Sequence, residues 1–293
     1  MAEEPGIVNI QGILLKLLEH WSNEGCYLAS GYDCEVGAGT MTPDTFFRIL
    51  GQKPWKVAYW QPSRRPADGR YGDNPNRVQK HNQFQVILKP VPENSQELYL
   101  ESLKKIGIEI DKHDIKFDED NWASPSLGAW GLGYQIMCDG LEITQFTYFQ
   151  QAGGLTLNPN SLEITYGIER LASFLEKKDS IYDLNWSPDV SYHDLRKEEE
   201  KQFSIYNFEE ADIPFLRKCF QIYEKECLRL IGKELYLPAY DYILKCSHTF
   251  NLLDARKAIS VTERTSLLHK IRSLAGEVAK IYLKRMEKEG RDA

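Results

Sequence analysis

Between Gln61 and Lys80, five basic side chains (Arg64, Arg65, Arg70, Arg77 and Lys80) stand against two acidic ones, Asp68 and Asp73. This local charge of +3 sits in a chain of net charge −7, so the remainder carries −10. Arginine presents a planar fork of donors that matches phosphate oxygens. Pro62, Pro66, Gly69, Gly72 and Pro75 shape the stretch into a long loop. Composition alone divides evenly between a phosphate-holding loop and a solvated surface loop. Gln83 and Gln85 tip the balance. They lie two apart, so on a strand they share one face. Glutamines among bulky apolar neighbours suit a polar pocket better than a core, and the stretch Gln61–Gln85 reads as the nucleotide-holding part of an ATP-using enzyme.

Three further constellations could carry chemistry. Asp120-Asn121-Trp122 with Gly128-Ala129-Trp130-Gly131 reads as a core aromatic patch or as pocket walls with backbone access. Glu142 and Gln145 lie in an otherwise apolar strand. In a regular strand Glu142 and Thr144 face one way, and Ile143 and Gln145 the other. A carboxylate there is either an exposed edge residue or a Mg²⁺ ligand, since Mg²⁺ prefers one or two carboxylates plus nucleotide phosphates. In Glu163-Ile164-Thr165-Tyr166-Gly167-Ile168-Glu169-Arg170 a strand passes through a glycine into a helix. A helix N-terminus favours anions, so Arg170 there suits a terminal phosphate; the plainer alternative is a surface ion pair.

These residues need elements to position them. Asn9 can cap a first helix through Ile13, Leu14, Leu17, Leu18 and Trp21, ended by Gly25. Cys26–Thr40, rich in glycine, suits a strand running into a loop with close backbone approach. Strands Val57–Trp60 and Phe84–Leu88 flank the basic loop. Asn94 with Glu97 resembles a capping pair for a helix ending at Gly107. His113–Asp118 alternates as a half-buried strand does. Asp139-Gly140 predicts a tight hairpin between Tyr134–Cys138 and Leu141–Phe149. A strand through Ile164 precedes a helix over Ile168–Lys177. From about Glu209 the pattern is helical, over 215–231, 238–252 and 261–287. The charged segment Ser191–Glu200 marks a soft boundary, giving residues 1–195 as a catalytic core and 196–293 as a helical C-terminal region.

The bulk numbers exclude several classes. No apolar run is long enough for a membrane helix. The acidic stretch Met1–Gly6 lacks the basic and apolar regions of a secretory signal, so a cytoplasmic location is expected. Cys26, Cys34, Cys138, Cys219, Cys227 and Cys246 contain no C-x-x-C pair and read as reduced thiols, with a zinc site disfavoured. The acidic balance argues that a nucleic acid would be held by a local patch or by another chain.

Together the motifs resemble those of class II aminoacyl-tRNA synthetases, and more narrowly the α subunits of the bacterial heterotetrameric glycyl-tRNA synthetases. The resemblance rests on EVGAGT (35–40), QPSRRPADGRYGDNPNR (61–77), EDNWASPSLGAWGLG (119–133), EITQFTYFQQ (142–151), EITYGIERLA (163–172) and SHTFNLLDARKAISVTER (247–264). It covers nearly all of the chain from Ile10 to Tyr282. It implies an α+β fold, an antiparallel sheet flanked by helices with a helical C-terminal region. It also implies a reaction in which glycine and ATP give glycyl-adenylate and pyrophosphate, followed by transfer to tRNA(Gly). The implied partners are a second copy of this chain and a separate β subunit, as an α2β2 tetramer.

By the same resemblance Arg64 holds the α-phosphate, Arg65 and Arg77 contact ATP, and Arg170 meets the γ-phosphate. Glu142 binds Mg²⁺, with Gln145 beside it. Thr40, Gln83, Gln85, Trp122, Glu163 and Thr165 are expected to hold glycine, with Glu163 on the ammonium group and Trp122 excluding larger side chains. Pro43 is the candidate dimer-interface proline. Arg64, Arg77, Glu142, Glu163 and Arg170 together argue against a catalytically silent nucleotide-binding paralogue, and the helical C-terminal match argues against a ligase acting on something other than tRNA. The chain departs from the family's usual residues at Gly31, Cys34, Lys80-His81-Asn82 and Gln135, the last being expected to lie outside the immediate pocket.

Overall fold

The computed structural model describes residues 9–291. The stretch Met1–Gly6, on which the secretory-signal expectation rested, lies outside them. Helix α1 runs Ile10–Asn23 and starts where expected: Asn9 Oδ1 accepts the Gly12 N–H at 2.8 Å, meeting one of the amides that a helix start leaves unpaired. Of the segment Cys26–Thr40 only β1 (Tyr27–Leu28) is strand; the rest is loop that ends in a 3₁₀ turn (Gly39–Met41) just before the one-turn α2 (Pro43–Phe46), which has Pro43 in its first turn.

A sheet follows. Its strands are β2 (Trp55–Arg64), β3 (Lys80–Lys89), β4 (Ile115–Glu119), β5 (Trp122–Ser124), β6 (Ala129–Cys138), β7 (Leu141–Ala152) and β8 (Leu155–Gly167). The order across it is β1-β2-β3-β8-β7-β6-β4, with β5 also on β6. Every pairing is antiparallel except β1 with β2. The Asp139-Gly140 hairpin forms as expected, with φ of 48° and 85°. Helices α3 (Ser95–Lys105) and α4 (Ile168–Glu176) interleave with the strands. Asn94 precedes α3, but its side chain makes no cap hydrogen bond, so the expected capping pair with Glu97 is not formed.

Because side chains alternate along a strand, the sheet builds a different core on each face. On one face Phe84, Val86, Phe146, Ile164 and Tyr166 pack against α1, α3 and α4 through Trp21, Tyr99 and Leu171. On the other, Val57, Tyr59, Ile87 and Phe149 meet Phe46, Phe47 and the C-terminal helices. A small ribbon, β9 (Asn185–Ser187) with β10 (Val190–Ser191), leads to those helices: α5 (Tyr192–Ile205), α6 (Ile213–Ile231), α7 (Tyr236–Ala255) and α8 (Val261–Arg291).

The segment Ser191–Glu200 is not a linker. Ser191 and Asp194 form a reciprocal capping box that starts α5. The expected boundary at residue 195 therefore falls inside a helix. The helical region also shares its core with the sheet, since Tyr240, Ile243 and Val278 pack with Val57 and Ile87. All six cysteines are free, and four are buried. Among the described residues no helix is long and apolar enough to cross a membrane.

Candidate active site

The open end of the second face carries a polar cavity, and the period of two on β2 decides which arginine enters it. Val57, Tyr59, Gln61 and Ser63 are all buried. Ser63 Oγ donates to Gln83 Oε1 at 2.7 Å. Arg65, two residues further, keeps the same face and lines the cavity. Its Nε donates to the Gly37 carbonyl at 3.0 Å, and its backbone N–H continues the ladder to the Gln79 carbonyl at 2.6 Å. Arg64, expected on the α-phosphate, is absent from the lining. Its guanidinium lies 4.0 Å from Glu35 and over the ring of Phe203.

The loop after β2 supplies Asp68, Asn76, Arg77 and Val78 to the cavity, and β3 supplies His81 and Gln83. Glu142, Gln145, Thr165 and Arg170 complete it from β7, β8 and the start of α4. The expected opposition of Glu142 and Gln145 on β7 does not hold. Ile136 pairs with Thr144 while Met137 pairs with Glu142, so Ile143 is an extra residue on its strand. Such a bulge shifts the alternation by one, and both side chains line the same cavity. Glu142 Oε2 accepts Arg170 Nη1 at 2.8 Å; the arginine also donates to the Glu142 carbonyl at 3.1 Å. Thus the expected metal carboxylate and the expected γ-phosphate arginine face each other. The imidazole of His81 is pushed down to about 3 by burial, and further by Arg65 and Arg170. It is therefore neutral at physiological pH.

Behind the cavity lies a closed network of the expected glycine ligands. Thr40 Oγ1 donates to both oxygens of Glu163, at 2.8 and 2.9 Å. Gln85 Nε2 donates to Glu163, and Gln85 Oε1 accepts from Thr165 Oγ1 at 3.0 Å. Gln83 Oε1 accepts the Gly39 N–H at 2.9 Å. Glu163 and Gln85 are buried, and neither borders the open cavity. Burial drives the Glu163 carboxyl up to about 8, against the lowering effect of Thr40 and Gln85. Gly39 fits here because a Cβ would come within 2.7 Å of Gln85 Oε1. The glycine-rich segment thus makes the close approach that its composition suggested.

Trp122 borders a second, adjoining hollow with Gly37, Ala38, Met41, Ser247 and Asn251. It packs edge-on against Phe149, while Trp130 is 42% exposed, so the two tryptophans form no single patch. Arg65 lines both hollows. Gln135 lies opposite Gln145 in the β6–β7 ladder and outside the lining of the first cavity.

Sequence reasoning missed Asp68, Asn76, His81 and Glu169. Glu169 was legible in principle, because it precedes Arg170 at the helix start. It accepts the Asn82 N–H at 2.9 Å and Asn82 Nδ2 at 2.6 Å, and so ties β3 to α4. Among the described residues no cluster of three or more His, Cys, Asp or Glu could hold a resident metal ion.

A largely antiparallel sheet in an α+β fold, with a cavity lined by Arg65 and Arg77 of the loop after β2 and by Arg170 of α4, is a fold and site suited to a phosphate-bearing substrate. The chain belongs to the glycyl-tRNA synthetase alpha subunit family, whose model matches residues 10–287. It is 56% identical over 282 residues to the glycine–tRNA ligase alpha subunit of Coprothermobacter proteolyticus, a match covering 96% of this chain and 97% of that one. Among solved structures it is similar to the pyrrolysyl-tRNA synthetase of Desulfitobacterium hafniense. One structure of that protein gives 13% identity and a TM-score of 0.43 over 61% of this chain and 73% of that one. A second gives 12% identity and a TM-score of 0.44 over 62% and 75%.

Proposed function

We propose that this chain is the catalytic subunit of a glycine–tRNA ligase, and that Arg65 is the residue on which its first step turns. A glycine carboxylate oxygen attacks the α-phosphorus of ATP. The bond to the β-phosphate oxygen breaks, pyrophosphate leaves and glycyl-adenylate remains. A terminal hydroxyl of tRNA(Gly) then takes the glycyl group and releases AMP. In-line displacement of this kind needs positioning and charge neutralisation more than a protein nucleophile. The observation that carries the reading is Arg65 bordering both hollows, because the α-phosphate and the glycine carboxylate must meet at one cation.

The triphosphate extends along Arg77 and Arg170. Glu142 would hold a Mg²⁺, and Arg170, released from that carboxylate, would meet the γ-phosphate. Magnesium would supply charge neutralisation on the departing pyrophosphate. The glycine ammonium points toward Gln83, Thr165 and the Glu163 network, and Trp122 limits the space beyond the α-carbon. Excluding bulk is the available discrimination, since glycine has no side chain to grip.

The reading brings with it a cytoplasmic location, a second copy of this chain meeting it near Pro43, and a β subunit engaging the tRNA. The chain's charge of −7 accords with tRNA being held largely by that other subunit. The test is glycine-dependent exchange of pyrophosphate into ATP with the cognate β subunit present. Absent exchange, or equal exchange with alanine, would overturn the reading. In the same assay Arg65→Ala is expected to lower kcat/KM by about 10²–10³-fold, the scale of losing one preorganised donor. Arg64→Ala is expected to cost less than about tenfold; the reverse order would restore the sequence-based assignment.

A further inference from the structure

The loop that carries Arg77 is long and is held both from within and from outside. Inside it, Asn74 Oδ1 accepts the Asn76 and Arg77 N–H groups at 2.9 Å; from outside, α5 holds it at two further points. Glu200, 3% exposed, accepts the Arg70 N–H at 2.7 Å with one carboxyl oxygen and the Gln79 N–H at 2.8 Å with the other. One side chain thereby holds two loop amides nine positions apart. One helical turn on, Ser204 Oγ accepts the Tyr71 N–H at 3.0 Å and donates back to Glu200 at 3.2 Å. Between the two stapled points lie Asn76, Arg77 and Val78, which line the nucleotide cavity. The buried carboxyl has no cation among its hydrogen-bond partners, and its acceptor oxygens satisfy two loop amides that an apolar residue would leave unpaired.

We propose that Glu200 is a positioning residue for ATP: it clamps the loop over residues 70–79 so that Arg77 is presented to the phosphates before the nucleotide arrives. Glycine, which is held by a different network, is untouched by it. The inference rests on the proposed function, because it takes the first cavity to be the ATP site.

The experiment is glycine-dependent pyrophosphate exchange by Glu200→Gln and Glu200→Ala in the complex with β. KM for ATP is expected to rise about tenfold or more, the scale of losing a hydrogen bond to a charged group, while KM for glycine stays put. The glutamine variant, which keeps one acceptor oxygen, is expected to lie between wild type and alanine. An unchanged KM for ATP in a folded variant, or equal rises for ATP and glycine, overturns the proposal. If the Glu200 variants fail to fold, Ser204→Ala decides, since it removes the Tyr71 contact without touching a charge. A smaller, ATP-specific rise supports the clamp, and none overturns it. Exchange by the wild type separates this outcome from failure of the proposed function: active wild type with an unmoved Glu200 variant refutes the clamp alone.

Discussion

Glu163 shows how much one side chain can change when its surroundings do. As a sequence letter it is a carboxylate suited to an ammonium group. In the fold it is buried, and desolvation raises it to about 8. The direction sets a pH dependence. A carboxyl raised in the folded state holds its proton between its ordinary value of 4.5 and about 8, so it favours folding at low pH, and that contribution is lost as pH rises through the window. In the proposed function the glycine ammonium meets the ionised form. KM for glycine is therefore expected to fall as pH rises from 6 to 8, and Glu163→Gln should raise KM at pH 8 by about tenfold or more and flatten the profile. A wild-type profile that is flat over this range would remove Glu163 from glycine binding. The same variant should gain thermal stability relative to wild type at pH 8, because it leaves no buried charge to form.

At the scale of elements, the site depends on how a loop seats on a strand. The segment before α2 reaches β3 through the Gly39 N–H and reaches β8 through Thr40. Its approach is so close that Gly39→Ala would push a methyl against Gln85 Oε1 and Cδ, at 2.7 and 2.8 Å. Gln85 would then lose its bond to Glu163. The expected result is a KM for glycine raised about tenfold, with KM for ATP unaltered. Steady-state exchange with each substrate varied in turn reads this directly, and equal effects on both would count against a dedicated glycine network. The bulge at Ile143 works on the same scale. It turns a strand whose alternation would separate Glu142 from Gln145 into one that delivers both to the cavity.

For the whole molecule, the decisive feature is that the C-terminal helices close the second face of the sheet rather than forming a separate body. The hairpin between β7 and β8 seats on α8 at Gly153, whose φ of 60° and closeness to Ala279 leave no room for a side chain. A Cβ there would lie 2.6 Å from the Ala279 methyl. Gly153→Ala is expected to cost about 1–3 kcal/mol of stability through overpacking and the strained backbone. Chemical denaturation would measure it, and a loss under about 0.5 kcal/mol would show that α8 yields there easily. Leu268 of α8 and Ser247 and Asn251 of α7 also wall the hollow beside Trp122, so loosening these helices should reach the glycine side of the site first.

Local patterns in the sequence determined the elements that depend on near neighbours. The Asn9 cap, the Asp139-Gly140 hairpin, α4 after Gly167 and the helices from Ile213 onward all stand where periodicity and turn chemistry put them. Gln83 and Gln85 were legible as a shared polar face because strand alternation is a local rule. The long specific motifs carried the family. Helix α5 escaped because two of its three buried positions, Glu200 and Ser204, are polar while Leu195 is exposed, leaving no apolar period to read, although its Ser191–Asp194 cap was in plain view. Only the tertiary structure decided which of two adjacent arginines enters the cavity. That choice depends on where β2 begins its alternation against β3, a pairing between residues far apart in the chain. It also decided that Glu142 and Gln145 share a face and that Glu200 reaches back across 121 positions to Gln79. Residue types and spacing specify what chemistry a segment can do; the register between distant segments selects which side chains do it.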